Sequence, residues 1–207
     1  MFEPSAIQPA KRELRGTLLA ARLALPEARR QVLDRQLCAQ VLGFMAERAG
    51  ARVSAFLPFR GEPDLRPVLG VLQESGHELY LPVLLDAGME FRRWRPDDEL
   101  VANRFGIPEP VQGPVCAPEA LDWVLMPLLA FSSRGTRLGM GGGFYDRAFA
   151  FRLDPAGGAG TRLIGVAYSL QEVNSLPAQH WDVPLDAIIT DHGVREFRAP
   201  AGRAPPA

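Results

Sequence analysis

The chain has 207 residues, a formal net charge of −1 at pH 7 and a hydrophobic fraction of 47%, which fits one ordinary soluble domain. The near-zero charge supplies no general field for nucleic acid or a membrane surface, and two cysteines are too few for a disulfide framework or a zinc site. No apolar run is long enough to span a bilayer, and the N-terminus lacks a secretory apolar core, so the cytoplasm is the expected location.

Two amphipathic helices are predicted first, over residues 5–25 and from Pro26 to a stop at Gly50. The apolar spacing in the first helix predicts a buried face containing Leu14, Leu18, Ala21 and Leu25.

Lys11 and Arg15 lie i, i+4 on another face of that first helix, where two like charges repel and both oppose the macrodipole. A bound anion would resolve this conflict, and two solvated cations with a small penalty are the alternative. Lys11 is also the only lysine beside 22 arginines. Either its compact ammonium cannot be replaced by a guanidinium, or it survives by chance, and composition leaves these two interpretations equal.

The remainder of the chain predicts an α/β fold. Strand, helix and strand in succession up to residue 84 indicate a parallel βαβ unit, and the strand at 89–94 is expected to run antiparallel across a turn at 86–88. Residues 95–120 are predicted to be irregular, with an ordered turn at 106–110. The predicted strands cover residues 52–57, 78–84, 89–94, 121–126, 162–168 and 185–190, and the further helices cover 65–75 and 144–153.

These elements predict a single domain over residues 1–198, with a three-layer, open, mostly parallel sheet, helices on both faces and Rossmann-like topology. Residues 154–161 are interpreted as a linker, and residues 199–207 as a disordered tail.

A glycine-rich stretch at residues 134–147, RGTRLGMGGGFYDR, is the strongest functional signal. It follows a predicted strand and leads into a predicted helix, where consecutive N–H groups and the helix start favour an anion. Arg137 precedes the glycines and Asp146, a candidate metal ligand, follows them. A nucleotide phosphate site is therefore the preferred interpretation, and a mobile surface loop is the alternative.

Generic phosphate motifs do not fit this stretch. No glycine-lysine pair is followed by Ser or Thr, as a Walker A loop requires, and the third glycine of a dinucleotide fingerprint would fall at Phe144. The protein-kinase motifs are missing as well.

The run RLGMGGGFYDR resembles the signature of the 5-formyltetrahydrofolate cyclo-ligase family, also called 5,10-methenyltetrahydrofolate synthetases. Five further segments resemble this family in the same order over residues 11–190: KRELR, FLPFRGEPD, GIPEP, DWVLMPLLAF and HWDVPLDAIIT. The resemblance implies an enzyme, a cyclo-ligase that uses ATP and Mg²⁺ to convert 5-formyltetrahydrofolate to 5,10-methenyltetrahydrofolate.

The resemblance also implies a role for individual residues. Lys11, Arg15 and Arg137 match the catalytic cations, and Asp146 and Asp182 match the magnesium ligands. The ATP contacts would be Lys11, Arg15, Arg137, Leu138, Gly139, Met140, Gly141, Gly142, Gly143, Phe144 and Tyr145. The folate contacts would be Leu57, Glu62, Met140, Gly141, Gly142, Gly143 and Phe144. The sequence departs from the family pattern at Met140, Phe144 and Trp181.

Other polar and aromatic residues are expected to be structural. The three histidines, His77, His180 and His192, are predicted to lie at the surface, and Asp186 at the entry to a strand rather than at a metal. Glu109 is predicted to tie a turn to a neighbouring backbone. Trp94 is interpreted as a packing residue that could alternatively line a pterin pocket.

Two other functions are compatible with parts of the pattern. One is a catalytically inactive nucleotide-binding module of the same fold, and the other is a sugar-phosphate isomerase of related architecture. The expected partners are small molecules only, without nucleic acid or membrane, and a monomer is expected.

Overall fold

The computed structural model of the protein describes residues 7–86, 88–154 and 160–197. Its helices are α1 Ile7–Leu23, α2 Glu27–Met45, α3 Arg66–Glu74 and α4 Phe144–Ala148. Its strands are β1 Arg52–Ser54, β2 Glu78–Leu84, β3 Met89–Arg93, β4 Leu100–Ala102, β5 Pro108–Pro110, β6 Val115–Cys116, β7 Trp123–Pro127, β8 Ala130–Ser132, β9 Arg137–Leu138, β10 Arg162–Val166, β11 Glu172–Val173, β12 Ala187–Thr190 and β13 Gly193–Glu196.

Eight strands form the main sheet in the order β13-β12-β10-β7-β1-β2-β3-β6. The five strands from β12 to β2 run parallel, whereas β13 pairs antiparallel with β12, β3 with β2 and β6 with β3. From β1 the chain first builds the sheet outward through β2, and it then returns to the opposite side of β1 with β7. In open α/β sheets such a reversal opens a crevice at the carboxyl ends of the strands.

The central strands bury side chains on both faces of the sheet. Val124 and Met126 of β7 pack in the core on one side with Phe149, which follows α4. Leu125 between them packs in the core on the other side, together with residues of α2 and α3. Alternate side chains of a strand point to opposite faces, so the fold has three layers. The predicted α/β class with a mostly parallel sheet between helices is confirmed.

Helix α1 packs differently from the prediction. Leu14 and Leu18 are only half-buried against a small sheet of β11, β8 and β9, and Ala21 is exposed. The buried residues of α1 are Ile7, Lys11 and Arg22. The prediction of Leu14, Leu18, Ala21 and Leu25 as the buried face is therefore wrong. The helix covers a polar cleft, and its most buried face carries cations.

Residues 95–120 are more ordered than predicted. Strands β4 and β5 pair antiparallel, with Val101 opposite Glu109, and β6 extends the main sheet beside β3. Proline at both ends of β5 conceals this strand in the sequence, because proline cannot donate to a ladder hydrogen bond. The helix predicted over 144–153 consists of the five residues of α4 and a separate 3₁₀ turn at Ala150–Leu153.

Strand β2 has the predicted bounds, and β3 is antiparallel to it, as predicted. Within the described residues, no helix combines the length and apolar character needed to cross a membrane. The predicted tail at 199–207 and most of the predicted linker at 154–161 lie outside the described residues.

Candidate active site

A cleft of about 470 Å³ opens at the carboxyl ends of β1, β2 and β7, at the reversal of strand order. This volume is in the usual range for small-molecule sites. Every site residue predicted from the sequence borders it: Lys11, Arg15, Leu57, Glu62, Arg137, Leu138, Gly139, Met140, Gly141, Gly142, Gly143, Phe144, Tyr145, Asp146 and Asp182.

Lys11 joins the first helix to the far end of the chain. Its Nζ donates to Asp182 Oδ2 at 2.5 Å, and the two side chains are 6% and 15% exposed. The same carboxylate oxygen accepts the backbone N–H of Gln179 at 2.7 Å. Lys11 is therefore a buried, paired cation, and the alternative of a solvated one is wrong.

Arg137 and Asp146 form a second ion pair in the cleft. Arg137 Nη2 donates to Asp146 Oδ1 at 2.7 Å, and the side chains are 6% and 22% exposed. Asp146 Oδ1 also accepts the backbone N–H of Val183 at 3.1 Å. Because Val183 follows Asp182 directly, Asp146 contacts the segment that carries Asp182.

These two carboxylates fit a magnesium ion. In the described part of the chain, no hydrogen bond reaches Asp146 Oδ2 or Asp182 Oδ1. Mg²⁺ usually takes one or two protein carboxylates and completes its shell with water and phosphate oxygens. Among the described residues there is no cluster of three or more acidic, histidine or cysteine ligands.

Asp186 lies outside that pair. Both of its carboxylate oxygens accept from Arg152 Nη2 at 2.8 Å, and Oδ2 also accepts the backbone N–H of Leu163 in β10 at 2.8 Å. Asp186 therefore holds β10 and a buried arginine in place, which agrees with its predicted position at the entry to a strand.

Arg15 is bound to the glycine loop. Its Nε donates to the Gly139 carbonyl at 2.9 Å. Gly141 has φ +105°, and a Cβ there would lie 3.3 Å from Arg15 Cζ. Gly143 also has a positive φ, of +65°. Glycine at 141 therefore provides both the backbone conformation and the room for Arg15.

The charge of Arg15 persists in this setting. Burial lowers the pKa of its guanidinium, and the Asp182 carboxylate opposes that effect. Arginine remains protonated in proteins, so the loop carries a fixed cation. Helix α4 behind the loop has only five residues, so the predicted support from a helix start is weak, and side-chain cations supply most of the positive charge.

Glu62 lies at the other end of the cleft, beside the buried Leu57. Its side chain is 6% exposed, and its Oε2 accepts the backbone N–H of Phe59 at 3.1 Å. Burial raises the pKa of this carboxyl to about 7, against the opposing effects of Arg22 and the Phe59 N–H. The group is therefore divided between its two protonation states near neutral pH.

Comparison with known proteins identifies the family of this chain. The sequence profile of the 5-formyltetrahydrofolate cyclo-ligase family matches residues 7–191. The chain belongs to the 5-formyltetrahydrofolate cyclo-ligase family. The predictions of this family and of a cyclo-ligase enzyme are confirmed.

Individual relatives are similar in sequence or structure over most of this chain. The 5-formyltetrahydrofolate cyclo-ligase of Escherichia coli (strain K12) is 37% identical over 85% of this chain and 97% of its own length. The NMR structure of the Aquifex aeolicus 5,10-methenyltetrahydrofolate synthetase superposes with a TM-score of 0.79 at 32% identity, covering 95% of this chain and 96% of that one. The Mycoplasma pneumoniae synthetase has a TM-score of 0.71 at 25% identity, over 87% and 98% of the two chains.

In this member of the cyclo-ligase family, Arg22 does not line the cleft but contacts residues that do. Arg22 is completely buried. It donates from Nε to the Arg60 carbonyl and from Nη1 to the Leu128 carbonyl, both at 3.0 Å, and Nη2 lies 3.9 Å from Glu62 Oε1. The sequence does contain a signal for it, because eleven residues make about three helical turns and place Arg22 on the same face as Lys11.

The apolar wall of the cleft also escaped prediction. It includes Phe56, Leu81, Met89, Phe105 and Ile107. The last two come from the region predicted to be irregular, where no periodic pattern marks them.

The remaining candidates are mostly structural, as expected. Glu109 Oε1 accepts from the Leu84 N–H at 2.9 Å and from Asn103 Nδ2 at 2.6 Å. Trp94 packs in the core beneath α2 and α3. His180 and His192 are exposed, as predicted, whereas His77 is buried. The prediction of a surface position for His77 is therefore wrong, and burial lowers the pKa of this imidazole.

Proposed function

We propose that the chain converts 5-formyltetrahydrofolate to 5,10-methenyltetrahydrofolate in a reaction that consumes ATP, requires Mg²⁺ and releases ADP and phosphate. One observation carries the proposal beyond family membership. A single cleft contains three cations, Lys11, Arg15 and Arg137, and the two carboxylates Asp146 and Asp182. Phosphoryl transfer needs mainly positioning and charge stabilisation, and this set provides both.

The chemistry explains why a nucleotide is needed. The N5-formyl group is an amide, and its oxygen is a poor leaving group. Transfer of the γ-phosphate to that oxygen gives an iminium phosphate. The neighbouring N10 amine then attacks the formyl carbon, phosphate departs with the oxygen, and loss of the N10 proton leaves the methenyl bridge. These steps require no nucleophilic side chain.

The ion pairs suggest how the cations and carboxylates act. Lys11 and Arg137 are each held by a carboxylate within 2.7 Å. When the triphosphate enters, its oxygens accept hydrogen bonds from these cations and from Arg15. Asp146 and Asp182 would hold the metal ion, which would supply positive charge beside the phosphates. The exchange keeps every buried charge paired.

Glu62 and Leu57 are proposed to receive the folate. The reduced pterin carries several N–H donors, and an ionised Glu62 carboxylate accepts them. The apolar wall formed by residues such as Leu81, Met89 and Ile107 covers the ring faces. A ligand without such an N–H donor would leave the buried Glu62 carboxylate without that hydrogen-bond partner, which is costly. Glu62 therefore gives selectivity for a pterin.

The test is formation of the methenyl chromophore by purified protein. Absorbance should develop from 5-formyltetrahydrofolate only when ATP and Mg²⁺ are both present, and omission of any one component should abolish it. No absorbance at saturating concentrations would disprove the proposal. Nucleotide binding without folate binding would then favour an inactive nucleotide-binding module.

A further inference from the structure

Arg22 of α1 connects both ends of the cleft without entering it. Its guanidinium contacts the carbonyls of Arg60 and Leu128, and its Nη2 lies 4.0 Å from Met140 Sδ in the glycine loop. These contacts join α1 to the loop after β1, the segment after β7 and the glycine loop. A completely buried arginine is rare and requires partners for its charge and its donors.

The turn that Arg22 contacts has an unusual backbone. Arg60 has φ +48° and Gly61 has φ +74°, so two consecutive residues are left-handed. The Glu62 N–H donates to the Phe59 carbonyl at 3.1 Å and closes the turn. A left-handed conformation is unfavourable for a residue other than glycine. The hydrogen bond from Arg22 Nε to the Arg60 carbonyl helps to offset that cost.

This turn sets the direction of Glu62. The turn leads directly into Glu62, whose Oε2 folds back onto the Phe59 N–H. Gly61 lies against α1, since a Cβ there would be 3.7 Å from Arg22 Cγ. The turn and the helix therefore hold each other in place.

Arg22 also provides the cation that faces Glu62. Its Nη2 is 3.9 Å from Glu62 Oε1. Among the described residues, Glu62 also interacts with the phenol of Tyr145 in α4, which is uncharged at neutral pH. Arg22 is thus the main charge that favours the ionised carboxylate.

We propose that Arg22 is a positioning residue for the folate end of the site, which holds the turn at residues 59–62 and thereby the Glu62 carboxylate at the cleft. The inference rests on the proposed function. Arg22 touches neither nucleotide nor folate itself, and it acts through Glu62.

Two substitutions separate the charge of Arg22 from its hydrogen bonds to the two carbonyls. Arg22→Gln removes both the charge and the planar fork, whereas Arg22→Lys keeps the charge but cannot bond both carbonyls. The Kd for 5-formyltetrahydrofolate is expected to rise about 10-fold or more in both variants, since a displaced turn misplaces Glu62. The acidic limb of the pH profile of kcat/KM for folate should move to higher pH in Arg22→Gln and return toward wild type in Arg22→Lys.

A double-substitution cycle tests whether the effect passes through Glu62. In the Glu62→Gln background, Arg22→Gln should change the folate Kd by less than about threefold, because residues that act through one contact are not additive. Arg152→Lys is the matched control. Arg152 is another buried arginine, paired with Asp186 away from the cleft, so its variant should leave the folate Kd and the pH limb unchanged.

Additive effects of Arg22 and Glu62, or a lower stability with an unchanged folate Kd in both Arg22 variants and an unchanged pH limb in Arg22→Gln, would overturn the inference while leaving the proposed function intact. A wild-type protein that neither binds folate nor forms the chromophore would instead overturn the proposed function, and the role of Arg22 with it.

Discussion

Lys11 and Asp182 are 171 positions apart in the sequence, yet Lys11 Nζ lies 2.5 Å from Asp182 Oδ2. The contact joins the first helix to the segment that precedes the last parallel strand. It agrees with the interpretation that Lys11, the single lysine in a chain with 22 arginines, cannot be replaced by arginine. A compact ammonium fits between α1 and this carboxylate, where the side chain of Lys11 is only 6% exposed.

Lys11→Arg is therefore expected to impair turnover although it preserves the charge. The larger planar guanidinium has to shift either α1 or Asp182, and misplacement by about 1 Å can cost about 100-fold in rate. The measurement is kcat/KM for ATP at saturating folate. Arg12→Lys is the control, because Arg12 is exposed on the same helix, and it should behave as wild type. Wild-type kinetics in Lys11→Arg would show that the ammonium has no special role.

Substitution of Asp146 or Asp182 is expected to remove the dependence of activity on the Mg²⁺ concentration. Asp146→Asn and Asp182→Asn should each lower kcat by about 100-fold or more at ordinary Mg²⁺ concentrations, because each loses a proposed metal ligand. ATP binding measured without metal should be retained or tighter, since Arg137 or Lys11 is released from its carboxylate.

Asp186→Asn is the comparison for these two variants. It removes a carboxylate that is bonded to Arg152 and to β10, so it should lower stability while the Mg²⁺ concentration for half-maximal activity stays unchanged. An unchanged magnesium response in Asp146→Asn and Asp182→Asn would exclude them as ligands.

The contrast between what the sequence predicted and what it missed has a physical cause. The bounds of strand β2 were predictable because its signal is local, a short apolar run with Gly76 before it and Asp86 after it. The inward face of α1 was not, since apolar periodicity marks Leu14 and Leu18, whereas the burial of Lys11 depends on a distant carboxylate. Local patterns do not contain such long-range pairings.

The candidate site was predicted partly from local patterns and partly through resemblance. Local patterns indicated the glycine loop with Arg137 and Asp146, and the cations Lys11 and Arg15, whereas the family pattern added Glu62 and Asp182. Arg22 has no counterpart in those motifs. Its importance follows from contacts with the Arg60 and Leu128 carbonyls, which lie in separate segments of the chain.

The glycines of the loop are expected to differ in their tolerance of a side chain. Gly141→Ala should raise the KM for ATP by about 10-fold or more and lower stability by about 1–2 kcal/mol, because φ is +105° and the new Cβ presses on Arg15. Gly139→Ala is the matched control, with no described atom within 4 Å of its Cβ position. Its stability should stay within about 0.5 kcal/mol of wild type. Equal effects at the two positions would contradict this account.

Glu62 should make the stability of the protein depend on pH. Its pKa rises from the ordinary value of 4.5 to about 7 on folding, chiefly through burial. Between these pH values the folded state holds a proton that the unfolded state has released. Stability from this group is therefore complete below pH 4.5, falls as pH rises and is lost above about pH 7.

Glu62→Gln should remove that dependence. The free energy of unfolding of the variant, relative to wild type, is expected to increase between pH 4.5 and pH 8 by on the order of 3 kcal/mol, since one unit of pKa corresponds to about 1.4 kcal/mol. Urea denaturation of both proteins at several pH values measures this difference. Glu99→Gln, which neutralises an exposed carboxylate, should show little change with pH. A constant difference between Glu62→Gln and wild type would mean that this carboxyl titrates near its ordinary value, and that burial beside Arg22 leaves its charge fully stabilised.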